Sequence, residues 1–299
     1  MGTSTPYKGG KNDNPLLPSW IGAGADAGDG SGGDTGASGD APAAGGEGGS
    51  PGGEGQPASG QPEQAGDPSR RYTGPRSNFT RFTRSGGDDR RALGRAASSY
   101  VKRTGGGAAT TSRRMAAERS AATNLAGILS RASGAPGGIR EVVRTLNFGA
   151  LADRPIQDIY AALVDLICPP DGDLDDAHAR EAYLEAVNEV MQDQPSDLER
   201  PSPETIKDII GKFIANAVNQ RIIMAIGLGI IVLPSDSDEI RAVEKGLKDF
   251  IRGCVAETMD EFSGDFRETD LRPEIDAIFE RTVEVVGERG EDAANEAAP

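Results

Sequence analysis

A single histidine, His178, serves 299 residues, and that scarcity closes several chemistries at once. It sits in a polar stretch beside Asp175, Asp176 and Arg180. A multi-His metal centre or a His-based triad is excluded by count, and His178 reads as a solvated side chain. Cysteine is almost as rare. Cys168 and Cys254 both fall in apolar helical patterns, which predicts two buried thiols in a reducing cytoplasm and no disulfide framework. Long apolar runs are also missing. The longest, Ile222 to Leu233, has 12 residues including two glycines, against the roughly 20 that a membrane helix needs. The start has no apolar signal region, and Pro6 stands where a myristoylation pattern wants Ser or Thr, so a cytoplasmic chain without a lipid anchor is expected.

Catalytic motifs fail in the same way. Asp171, Asp173 and Asp175 imitate the opening of a calcium loop, but Asp176 and Ala182 occupy its Gly and Glu positions. Gly211-Lys212 is followed by Phe213, and the Gly105 to Gly107 run has no Lys-Ser/Thr after it, so neither is a P-loop. The expectation is a non-enzyme with no catalytic residue, no metal and no cofactor.

What is present is a polarised chain. Residues 1–69 sum to −7, residues 70–120 to +10 and residues 121–299 to −18. The first twenty residues read as a presented peptide: Gly2 follows the initiator Met, Pro15 and Pro18 stiffen the backbone, and Trp20 is the only tryptophan. From Ile21 to Ser69 there are 17 Gly in 49 residues and no aromatic side chain, too little apolar surface to offset the entropy of ordering. This predicts a disordered Gly/Ala/Asp-rich tether with a span of roughly 40 Å. Composition changes at Arg70. Arg76, Phe79, Arg81, Phe82, Arg84, Arg90, Arg91, Tyr100, Lys102 and Arg103 interleave charge with rings. Two readings fit that mixture: phosphate contact with base stacking on nucleic acid, or Phe79 and Phe82 pinning an amphipathic turn onto the acidic body or a partner.

Beyond about residue 88 the periodicity is helical. Stripes run through Leu93 to Tyr100, through Met115, Ala122, Leu125, Ile128 and Leu129 between Thr111 and Ala132, and onward from Pro155. Asp173 or Asp175 caps the next, with Tyr183, Leu184 and Val187 inward. Ser202-Pro203 opens the clearest one, Ser237 starts another, and Pro273 opens the last, with fraying expected past Gly287. Only Gly229 to Leu233 resembles a strand. The fold class expected is all-α, a multi-helix bundle. Its parts are a motif (1–20), a linker (21–69), a basic segment with the first helix (70–107), an acidic body (108–290) and a frayed tail (291–299).

Three stretches carry a family likeness: Gly2-Thr3-Ser4, Pro15-Leu16-Leu17-Pro18-Ser19-Trp20, and Ser77-Asn-Phe79-Thr-Arg81-Phe82-Thr-Arg84-Ser-Gly86 with Tyr100-Val101-Lys102. With Ala179-Arg-Glu-Ala-Tyr183 more loosely in the body, the chain resembles the QatB component of bacterial Qat anti-phage defence. Pro6 before Tyr7 departs from the small polar residue expected there. The resemblance implies a non-enzymatic component working beside an ATPase, a QueC-like enzyme and a TatD-like nuclease. It further implies Gly2 as the site of modification by the QueC-like partner, with Thr3, Ser4, Tyr7, Pro15, Leu16, Pro18 and Trp20 as the recognition motif.

Overall fold

The computed structural model describes residues 72–169, 174–193, 195–227, 236–264, 266 and 270–295. The terminal motif, the linker, and the strand-like run at 229–233 lie outside them. The described residues form ten α-helices and no strand.

The chain enters through α1 (Thr73–Arg84) and α2 (Arg90–Ser99). One of the two readings had Phe79 and Phe82 pinning an amphipathic turn; a 12-residue helix forms there, and both rings are buried. Asp89 caps α2, its carboxylate accepting from the Ala92 backbone N–H at 2.9 Å. A π-type turn, Tyr100–Thr104, then leads into α3 (Ala108–Arg113) and α4 (Ala116–Gly134). One helix was expected over 111–132. The break falls at Arg114 and Met115, where Met115 turns into the core at 1% exposure and the Arg114 carbonyl accepts a 2.7 Å hydrogen bond from Arg221.

A short helix that the periodicity did not announce, α5 (Gly138–Thr145), buries Ile139, Val142 and Val143. Its Arg140 ties the neighbouring loops together, donating to Glu199 at 2.6 and 2.9 Å and to the Ala152 and Arg154 carbonyls. Then come α6 (Ile156–Ile167), α7 (Leu174–Asp193) and α8 (Pro203–Gly227). They carry the deepest polar rings. Tyr183 donates to the Tyr160 carbonyl at 2.7 Å and Tyr160 to that of Leu198 at 3.0 Å, so neither buried hydroxyl is orphaned. Leu184, expected inward, is 44% exposed. The last two helices are α9 (Ser237–Glu261) and α10 (Arg272–Asn295).

Helix α10 does not fray after Gly287. It continues to Asn295 because α2 crosses it at a contact made of glycine: a Cβ on Gly94 would meet the Gly290 carbonyl oxygen at 2.7 Å, and one on Gly290 would meet that of Gly94 at 2.6 Å. Beside this crossing, Phe82 of α1 rests on α9, its ring tip 3.0 Å from where a Gly246 Cβ would stand. Replacing Gly94 by Val forces these backbones apart and is expected to cost about 2–3 kcal/mol. The denaturation midpoint checks this, and a variant as stable as the parent would refute the contact.

Candidate functional site

One end of the bundle brings the first turns of α4 and α7 against the last turns of α8. Packed there is the π-type turn that follows α2. A cleft of about 230 Å³ opens between them. Helix α4 contributes Glu118, α7 contributes Asp175 and His178, α8 contributes Arg221 and Met224, and the incoming chain contributes Tyr72, Tyr100 and Arg114.

Arg221 organises the polar wall. Its guanidinium donates to Asp175 Oδ1 at 2.6 Å and to the Arg114 carbonyl at 2.7 Å, and its charge acts on the nearby Tyr100 hydroxyl. Glu118 lies behind it at 1% exposure with Oε2 unpartnered. Burial pushes its carboxyl up to about 7, outweighing the helix N-terminus and Arg221, which pull the other way. His178 Nε2 is likewise buried and unpartnered. This corrects the expectation of a solvated imidazole: the α7 turn that carries Asp175 at i and His178 at i+3 faces the cleft. Tyr100 is raised by burial and stays protonated. Both thiols, outside the cleft, are pushed by burial up to about 12 and hold their protons. Among the described residues, no group of three or more His, Cys, Asp or Glu side chains could hold a metal.

The residues expected from sequence fall elsewhere, Tyr100 excepted. Gly2, Thr3, Ser4, Tyr7, Pro15, Leu16, Pro18 and Trp20 lie outside the described residues. In the basic segment the rings go in and the charges go out. Phe79, Phe82 and Tyr100 are 4%, 0% and 6% exposed, whereas Arg81, Arg84, Arg90, Arg91, Lys102 and Arg103 are exposed. Arg76 lies over the Tyr72 ring at 5.0 Å, Arg81 meets Asp89 at 3.4 Å, Arg90 donates to the Gly246 carbonyl at 3.2 Å, and Lys102 pairs with Glu291.

Sequence reasoning passed over Glu118 and Arg221. A signal existed for both. Glu118 fills the position three after Met115 and four before Ala122 on an otherwise apolar inward stripe, and Arg221 follows Val218 by three on another.

Glu118 has a testable consequence. Its folded value lies above the unfolded one, so the folded state binds more protons and loses stability as pH climbs from about 4.5 to 7. Glu118→Gln removes this term. Relative to the parent, the variant is expected to gain about 3 kcal/mol across that interval, measured by chemical denaturation at each pH; a constant difference would contradict the burial of this carboxyl.

Among known proteins, a family model described as QatB, Qat anti-phage system associated protein QatB, matches residues 106–286, more than half of the chain. No curated protein matches, and no solved structure matches. No described helix is long and apolar enough to cross a membrane. Arg114, Glu118, Asp175, His178 and Arg221 all fall within the matched span. On that match, the chain belongs to the QatB family of Qat anti-phage system associated proteins.

Proposed function

We propose that this chain acts in Qat anti-phage defence as a non-enzymatic adaptor. Its N-terminal glycine, Gly2 once Met1 is removed, is the group modified by a QueC-like partner, and its helical body docks the other components, an ATPase and a TatD-like nuclease. The observation that carries the adaptor reading is the burial of Phe79, Phe82 and Tyr100. A single-strand binding platform stacks bases on exposed rings, worth about 1–3 kcal/mol per base. Here those three rings are spent on the core, and the outer face is dominated by guanidinium and ammonium groups, suited to an acidic protein surface. Nucleic acid through 70–103 remains the second reading, by phosphate contact without stacking.

The N-terminal part of the proposal is supported by sequence. A glycine amine is unhindered, and Thr3, Ser4, Tyr7, Pro15, Leu16, Pro18 and Trp20 concentrate specific side chains ahead of a stretch with no aromatic residue. A linker of that composition raises the effective concentration of the motif at a partner's site without fixing its geometry. Trp20 supplies the largest contact area, and the two prolines reduce the entropy lost on docking.

Intact-mass measurement of the chain expressed with and without its neighbours tests the modification. Added mass on the N-terminal peptide is expected with the QueC-like partner and none when Gly2→Leu is used. Deleting residues 2–20 is expected to abolish phage protection while the melting of the body stays unchanged. Full protection by the deletion variant would overturn the proposal.

A further inference from the structure

The outer face of α1 and α2 carries positive charge that the fold leaves uncompensated. Arg84, Arg91, Arg95 and Arg103 are exposed and make no hydrogen bond or ion pair with a described residue. On the acidic body, by contrast, Arg140 is met by Glu199, Arg180 by Asp165, Arg221 by Asp175 and Lys248 by Glu185 and Glu189. Arg91 and Arg95 stand at i and i+4 on α2, neighbours on one helix face, where like charges repel. The crossing of Gly94 over Gly290 seats that helix on α10, so both guanidinium groups are held out from a packed support. A partner that meets them has little backbone order left to impose.

The opposite feature lies on the same chain. Between α9 and α10 runs an open trough of about 620 Å³, lined by the small residues Gly253 and Ala256 and by Glu257, Asp260, Glu261 and Arg289. Two cations serve its acids. Arg289 meets Glu257 at 2.5 Å, and Arg281 is shared by Glu261, Glu284 and Glu288 at 2.9 to 3.2 Å. Asp260 is exposed and has no partner among the described residues. Five carboxylates drawing on two guanidinium groups leave this surface negative. The absence of long side chains at Gly253 and Ala256 lets a helix approach closely.

Spacing matches as well as sign. Arg91 and Arg95 lie about 6 Å apart along their helix axis, and so do Glu257 and Glu261 along theirs. Within one chain the two arginines meet no described carboxylate, so the pairing has to be between chains. The net charge of −15 repels a second copy at long range, but at 0.1 M salt the Debye length is roughly 10 Å, and inside that distance the local pairing decides.

We propose that this chain self-associates, the Arg91 and Arg95 face of one copy lying in the α9–α10 trough of a second, where Asp260 and Glu261 receive it. The inference rests on reading the basic face as a protein-docking surface, and it names the occupant. The contact joins two unlike surfaces, so each copy in a pair offers one of each to the other or to a further copy.

Sedimentation equilibrium of the full chain is the test. At about 0.1 M salt the mean mass is expected to climb above 31.1 kDa with concentration, and to fall back at about 1 M, where screening reaches inside the contact. Arg91→Glu with Arg95→Glu, and separately Ala256→Lys with Asp260→Lys, alter exposed positions and are expected to melt like the parent while associating at least tenfold more weakly. Mixed one to one, the two variants are expected to recover association, because the trough of the first and the arginines of the second are both intact. A mass of 31.1 kDa at every concentration up to about 200 µM, association unchanged in either variant, or no recovery on mixing would each overturn the inference. A monomer that captures other defence components through Arg91 and Arg95 would overturn self-association and leave the adaptor reading standing. A monomer that captures only a duplex oligonucleotide there would overturn both, and self-association without capture of any other component would support this contact alone.

Discussion

The crossing of α2 over α10 through Gly94 and Gly290 determines where the rest of this molecule goes. Two helices can approach with backbone against backbone only where no Cβ intervenes, and here both partners are glycine. That contact holds α2 down, and α2 in turn sets α1 beside it, so that Phe82 lands on Gly246 of α9. The basic segment thereby becomes part of the body. Its rings close the core, and its guanidinium groups line an outer face. The same placement brings the π-type turn to the end of the bundle, where Tyr100 forms a wall of the cleft and Tyr72 stands at its entrance.

At that end the electrostatics are set by Arg221. One guanidinium spans α8, the Asp175 turn of α7 and the Arg114 carbonyl between α3 and α4, which orients three elements with charge-assisted bonds of 2.6 and 2.7 Å. Asp175 and Glu118 both occupy first turns, where the helix N-terminus favours negative charge. Asp175 also has Arg221 and partial exposure, at 43% of its side chain. Glu118 has neither contact with water nor a full set of partners, and for it desolvation wins. The family match thus covers Arg114, Glu118, Asp175, His178 and Arg221 of this polar cleft, while Tyr72 and Tyr100 lie ahead of the matched span.

Much of the fold was legible because most of its helices are long and cleanly punctuated. Pro155, Ser202-Pro203 and Pro273 stand at the starts of α6, α8 and α10, and Ile206, Ile209, Phe213 and Ile214 are all fully buried along α8 as their spacing requires. Helix α5 escaped notice because eight residues after a Gly-rich turn give too short a stripe to separate from a loop. The split between α3 and α4 was invisible because its cause, the Arg221 bond to the Arg114 carbonyl, spans 107 positions of sequence. Helix α10 outlasted its expected end because glycine, which weakens a helix locally, is here what lets a neighbour cover it. The cleft was hidden for a related reason. A buried Glu118 or His178 looks like any surface residue until the faces packed against it are known, although the place of Glu118 on an apolar stripe was a readable clue.

The central claim is that the arginine and aromatic segment is folded into the body. Native-state hydrogen exchange across α1 and α2, compared with α10 in the same chain, tests it most directly. Amides of Thr73–Ser99 protected to the same degree as those of α10 around Gly290 are predicted, since the two open together if the Gly94 crossing holds them. Exchange of α1 and α2 at the rate of an unfolded peptide, with α10 still protected, would contradict the account.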